Sequence, residues 1–198
     1  GWDGAERTHI ERLCEEGQLQ HLQQFIQYGL QSPISSLQPM LSPLLWTSVV
    51  TGKRAHDHGI LGFVEQSLEG PKAISNLQRK VPALWNILSE AAYTCQVLNW
   101  WPSNPAEEIR GSFISNLVFS EGSKQGQCWP TQWTSLVADL KPESIDQSVL
   151  AGFFPDHRAA QLKEDPIVQK AAQIIQRTLH QFNTALALMD EQADCRFF

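Results

Sequence analysis

The residues best placed to do chemistry lie in Pro39-Met40-Leu41-Ser42-Pro43-Leu44-Leu45-Trp46-Thr47-Ser48-Val49-Val50-Thr51-Gly52, followed at a short distance by His58-Gly59-Ile60. The stretch reads as an extended segment that turns sharply into a short helix. Ser42 takes the N-cap place and Pro43 the first helical position, where a missing N–H costs nothing. A hydroxyl there faces the unpaired N–H groups and the positive end of the helix dipole, which stabilise a developing anion. That suits a nucleophile aimed at a phosphate. It also suits a plain cap, and the turn taken alone favours the cap. Asp3, beside Gly4 and just ahead of a helix, is a second candidate, as a metal ligand at a strand end or as an N-cap. His56, Asp57 and His58 sit on a polar loop, where an H-x-H pattern points to structural hydrogen bonding by His58 rather than to a metal cluster.

The elements that must position these groups follow from periodicity. In the helix after Ser42, Leu45, Trp46, Val49 and Val50 are expected on the buried face, with Thr51-Gly52 as its end. Before it, a helix from about Ala5 to Glu16 carries Ile10, Leu13 and Cys14, and Asp3 can cap it. A second helix carries Leu19, Leu22, Phe25 and Ile26 and closes at Gly29. The serines and prolines from Leu30 to Leu41 suggest a loop with one short strand near Ile34 to Leu37.

Residues 64–81 read as a loop or edge hairpin, and Leu84, Trp85, Ile87 and Leu88 as a helix ending near Ala92. A buried strand is expected from Cys95 to Trp101 and a further one near Ser112 to Ile114. Strands alternating with helices in this way predict a parallel sheet. The pair Trp100-Trp101 suits core packing more than a pocket wall. The glycine-rich run from Phe119 to Gln127 reads as a mobile loop. Helical pieces follow at about Thr131 to Leu140 and Glu143 to Ala151. A long helix then runs from Pro166 to about Asp190, with Ile167, Ala171, Ile174, Ile175, Leu179, Phe182 and Leu186 on one broad apolar face.

Composition narrows the classes. The 198 residues can bury one sizeable core, and a net charge of −6 without a like-charge run argues against nucleic-acid polymers and anionic membranes as partners. No apolar run approaches the ~18 residues of a bilayer span. Four cysteines, Cys14, Cys95, Cys128 and Cys195, are far apart in sequence, which points to buried free thiols and a reducing, cytoplasmic setting. The opening Gly1-Trp2-Asp3-Gly4 and the closing Cys195-Arg196-Phe197-Phe198 suggest a piece of a longer chain.

As a set, Gly1-Trp2-Asp3-Gly4-Ala5, Pro39-x-x-Ser42, Trp46-Thr47-Ser48-x-x-Thr51-Gly52 and His58-Gly59-Ile60 resemble the amino-terminal part of the alkaline phosphatase superfamily. The branch resembled is that of type I phosphodiesterases and nucleotide pyrophosphatases. The likeness is most specific over residues 1–63.

The resemblance implies an α/β fold with a central, mostly parallel sheet flanked by helices. Residues 1–198 would form the amino-terminal part of one catalytic domain, with a helical insertion at about 64–190. It implies two divalent metal ions, usually zinc, acting on a small-molecule phosphoester. Asp3 maps onto a ligand of the first ion, and Ser42 onto the nucleophile that touches the same ion and forms a phosphoseryl intermediate. Counting back from Thr51-Gly52 selects Ser42 over Thr47 and Ser48. The histidine of the H-G-I segment is not a ligand in the family, and the remaining ligands are expected downstream of Phe198, so the isolated chain should be inactive. Phe63 stands where nucleotide pyrophosphatases carry an asparagine that contacts phosphate, which speaks against nucleotide substrates. The alternatives are a non-catalytic relative that binds a phosphorylated ligand or a protein, or a sulfatase, phosphonatase or phosphomutase of the same superfamily. A serine esterase is disfavoured by the lack of a G-x-S-x-G elbow.

Overall fold

The computed structural model describes residues 5–120, 126–142, 144–155 and 164–198. The chain divides into two compact units, residues 1–38 and 39–198.

The first unit is a pair of short helices, α1 (Arg7–Glu15) and α2 (Gln20–Tyr28). Glu6 caps α1 by accepting the His9 N–H, and Gly29 ends α2. The expected cap, Asp3, lies outside the described residues. No strand forms between Ile34 and Leu37, which stay irregular. Ile34 is exposed, so it gains nothing from lying in a sheet.

In the second unit, α3 (Ser42–Thr51) is followed by one turn of helix, α4 (Ala55–His58), where the sequence suggested a loop. Next come the hairpin β1 (Val64–Ser67) and β2 (Gly70–Ala73), helix α5 (Leu84–Glu90), β3 (Cys95–Leu98), β4 (Gly111–Ile114) and β5 (Cys128–Trp129). Three helices, α6 (Trp133–Asp139), α7 (Gln147–Phe153) and α8 (Pro166–Met189), precede β6 (Cys195–Phe197). The four-stranded sheet runs β5-β4-β3-β6, with β3 parallel to both β4 and β6 and β5 antiparallel at the edge. This is the expected mostly parallel α/β sheet flanked by helices.

Strand alternation divides the core into two layers. Cys95, Val97 and Phe113 point to one face and pack on Trp85 of α5 and Val50 of α3. Leu98 and Ile114 point to the other and pack on Trp133 and Val137 of α6 and Leu188 of α8. Gly111 makes the β3–β4 approach possible. Its φ is +125°, and a Cβ there would lie 2.0 Å from the Cys95 carbonyl oxygen.

The long helix buries a face that only partly matches its sequence pattern. Its deeply buried residues are Val168, His180, Thr184 and Leu188, and Ile175 of the expected face packs against Leu150 and Val168, whereas Ile167, Ile174, Leu179, Phe182 and Leu186 are exposed. His180 and Thr184 can lie on the buried side because their polar groups are bonded. His180 Nε2–H donates to the Val137 carbonyl at 2.6 Å, and the Thr184 hydroxyl donates to the His180 carbonyl at 2.8 Å. A satisfied polar group costs little to bury, so the count of apolar positions did not decide the orientation. Among the described residues no helix is long and apolar enough to cross a membrane.

Candidate functional site

Helix α3 begins one residue earlier than its capping pattern suggests. Leu41 takes the N-cap conformation, Ser42 is the first helical residue and Pro43 the second. Ser42 is therefore not a cap: no side-chain capping bond forms at this end. The buried face is Pro43, Leu44, Thr47 and Val50, while Leu45 and Trp46 are half-buried and Val49 is 66% exposed. Thr47 takes a buried place where Val49 was expected, which is cheap because its hydroxyl is bonded to the Pro43 carbonyl. Gly52, at φ +64°, closes the helix as expected.

The four hydroxyls of α3 have different fates. Thr47 donates to the Pro43 carbonyl and Thr51 to the Thr47 carbonyl, each at 2.7 Å. Ser48 Oγ lies 2.9 Å from Nε2 of His58. The Ser42 hydroxyl, half-buried at the helix start, has no hydrogen-bond partner among the described residues. The N–H groups of Ser42 and Leu44 lie in the first turn, where no intrahelical acceptor exists, and Pro43 has none to offer.

The Ser48–His58 pair has the separation of a nucleophile and its base, but its protons are the wrong way round. His58 Nδ1 accepts the Ile60 N–H at 3.1 Å, so the neutral ring carries its hydrogen on Nε2 and donates it to Ser48 Oγ. An imidazole so held cannot take the serine proton. Burial pushes the His58 pKa below its ordinary value, against a smaller opposing pull from Asp57, which keeps the ring neutral. His58 is thus a structural pin, as read from the sequence. Its carbonyl accepts the Lys80 N–H, and Gly59, at φ +82°, lies where a Cβ would come 2.9 Å from the Gln78 carbonyl oxygen. His56 is exposed and sits 3.4 Å from Asp57.

What fixes α3 against the sheet is an aromatic assembly, in keeping with the core-packing role expected for Trp100, backed by a carboxylate that the sequence reading missed. Trp100 packs edge-on against Trp46 with ring centres 5.3 Å apart, and its Nε1–H donates to the Trp46 carbonyl. Trp85, fully buried, packs edge-on on Trp100, Phe113 and Phe197. Behind it lies Glu107. Both carboxylate oxygens accept from the Arg79 guanidinium, at 3.1 and 2.7 Å, and the amides of Asn76 and Asn86 and the indole of Trp85 add three more donors. Burial pushes the Glu107 pKa up, but the hydrogen bonds and charge of Arg79, with Asn86 and Asn76, outweigh it and hold the carboxyl below its ordinary value. Glu107 stands in a loop with no periodic pattern, and its donors lie 21 to 31 residues away, so no local signal marks it.

The sequence-based site is Asp3 and Ser42. Asp3 lies outside the described residues, and of the two only Ser42 has a described position. Among the described residues no three His, Cys, Asp or Glu side chains converge as a metal site. The uncommitted Ser42 hydroxyl fits a role as one oxygen ligand or nucleophile.

The profile of the family described as type I phosphodiesterase / nucleotide pyrophosphatase matches residues 1–187. Comparison with curated proteins and with solved structures gave no match. A match over so much of the chain, carried on a mostly parallel sheet with the Ser42 helix packed beside it, shows that the chain belongs to the type I phosphodiesterase / nucleotide pyrophosphatase family, a branch of the alkaline phosphatase superfamily.

Proposed function

We propose that this protein hydrolyses small-molecule phosphate mono- or diesters through Ser42, with Asp3 and Ser42 holding the first of two divalent ions, zinc by family resemblance. The observation that carries the reading is the Ser42 hydroxyl. Of the hydroxyls on α3 it alone is left uncommitted, at the end of the helix where an anion is favoured.

The chain's own residues then do the following. Ser42 Oγ attacks phosphorus, and the bond to the leaving alcohol breaks as the Oγ–P bond forms. The first-turn N–H groups face the phosphoryl oxygens as charge builds on them. Water then attacks the phosphoserine, releasing phosphate or a monoester and restoring the hydroxyl. A bound divalent ion would supply positive charge and lower the pKa of the serine hydroxyl. His58 takes no part in proton transfer, since its Nε2 hydrogen is already given to Ser48.

The reading is tested on the full-length gene product, assayed with added zinc on bis-p-nitrophenyl phosphate, p-nitrophenyl phosphate and p-nitrophenyl sulfate. Turnover of a phosphate ester that is lost on chelation and in both Ser42→Ala and Asp3→Ala is the expected result. Turnover that survives Ser42→Ala overturns it. Preference for the sulfate ester would reassign the substrate class while keeping the nucleophile. No turnover at all, with phosphate still bound, would favour the non-catalytic relative. The isolated 198-residue chain should show no turnover above background.

A further inference from the structure

Two of the four cysteines meet in the sheet. Cys95 opens β3 and Cys195 opens β6, and although far apart in sequence they are direct partners in the parallel ladder. Partners in register on parallel strands point to the same face, and both thiols lie in the layer that holds Trp85. The neighbouring residues fix the spacing. The Asp194 N–H donates to the Thr94 carbonyl at 2.9 Å and the Cys195 N–H to the same oxygen at 3.2 Å, while the Thr94 N–H donates to Asp194 Oδ2 at 2.7 Å. The strands are thus clasped immediately before the cysteines. Adjacent strands lie about 4.7–4.9 Å apart, inside the roughly 4.4–6.8 Å between Cα atoms that a disulfide spans. Both residues stand at strand ends, where the backbone is freest to follow as the two Cβ atoms draw together.

The other two thiols are placed differently. Cys128 packs in the opposite layer of the core, on β5 at the far edge of the sheet, and Cys14 belongs to the helical pair. All four are free thiols. The members of the ladder pair are unequal. Cys95 is fully buried, and burial first, then the neighbouring Cys195 and Asp194, push its pKa up to about 11. Cys195 is half-buried on the edge strand, so a small reagent reaches it before Cys95.

We propose that Cys95 and Cys195 form a redox-sensitive dithiol, a modification site at which a small disulfide of the glutathione class closes a bond between β3 and β6. Cys195, as its thiolate, attacks one sulfur of the reagent, whose S–S bond breaks and releases the first small thiol. The Cys95 thiolate then attacks Cys195 Sγ and expels the second small thiol. Two protein thiols are oxidised, the reagent is reduced, and the two thiol protons end on the released thiols. Closure needs the ionised form of Cys95, which burial makes scarce, so it is the slower step. The fixed nearness of the two strands offsets that by making the step intramolecular. Phe197, two residues beyond Cys195, packs on Trp85 and Trp100, so the bond fastens the aromatic wall behind α3.

The test holds the folded full-length protein in glutathione buffers of stepped oxidised-to-reduced ratio. Each sample is quenched with acid, its remaining thiols are alkylated, and its peptides are mapped by mass spectrometry. A peptide pair linked through Cys95 and Cys195 should accumulate as the ratio rises, while Cys14 and Cys128 stay alkylated. Closing so long a loop should raise the thermal midpoint by about 5 °C or more, and dithiothreitol should reverse the rise. Cys95→Ala should stop the reaction at a glutathione adduct on Cys195, and Cys195→Ser should leave Cys95 unmodified. Circular dichroism checks that each variant folds, and the mapping of the parent protein stands without them. Absence of the linked pair at the oxidising end overturns the proposal. So does an adduct that persists on Cys195 in the parent, or pairing of either cysteine with Cys14 or Cys128 in the folded protein.

Discussion

His58 donates its Nε2 hydrogen to Ser48 Oγ at 2.9 Å while its Nδ1 accepts the Ile60 N–H, so a serine–histidine pair further along the helix that Ser42 begins is locked in the non-catalytic tautomer. The contrast with Ser42, which makes no such bond, separates stability from activity. Ser48→Ala should leave the His58 N–H unsatisfied and cost ~1–3 kcal/mol in urea unfolding, with phosphoester turnover of the full-length protein retained. Ser42→Ala should change stability by less than ~0.5 kcal/mol and lower kcat by ~10³-fold or more. Equal loss of turnover in the two variants would refute the assignment.

The His58 environment also sets a pH dependence. Its folded-state pKa lies below the ordinary 6.5, so the unfolded chain takes up a proton before the folded one does. Its stabilising contribution is complete above about pH 6.5 and is lost as pH falls through the depressed folded value. The urea midpoint should therefore fall between pH 7.5 and pH 5.5, roughly the span over which histidine titrates. His58→Gln, although less stable throughout, should show a flatter profile over that range.

Glu107 makes a separate, more acidic prediction. Its folded pKa is depressed, so its contribution is present above the ordinary 4.5 and disappears as pH falls through the folded value. Glu107→Ala strands the Arg79 charge in a site where its side chain is 9% exposed, and should cost ~3–5 kcal/mol. Adding Arg79→Met to that variant should recover part of the loss. A double variant no more stable than the single would show that the rest of the donor set, not the unpaired charge, sets the cost.

Two glycines should respond in opposite directions. Gly111→Ala puts a Cβ 2.0 Å from the Cys95 carbonyl oxygen at a φ of +125° and should cost ~3 kcal/mol or more, by forcing β3 and β4 apart. Gly152, inside α7 with nothing among the described residues within 4 Å of an added Cβ, should gain ~0.5–1 kcal/mol as alanine. Thermal unfolding of the two variants beside the parent measures both.

What the sequence determined alone is what depends on neighbours in the chain. Pro43 and Gly52 bracket α3 because a fixed φ suits a helix start and a left-handed glycine ends one. The hairpin of β1 and β2, the parallel order of β3 and β4 and the length of α8 follow from turn residues and periodicity. The family of the chain followed from the spacing of short motifs. Tertiary structure decided what depends on residues far apart. α8 turns His180 and Thr184 inward and leaves Phe182 and Leu186 exposed because His180 and Thr184 find acceptors at Val137 and in the helix itself, which makes those polar groups cheap to bury. Glu107 became the anchor behind Trp85 only when Asn76, Arg79 and Asn86 were brought round it. The tautomer of His58, and with it the exclusion of Ser48, rests on two hydrogen bonds set by the turn into Ile60. Spacing could nominate Ser42; only the fold shows that its rivals on the same helix are already bonded.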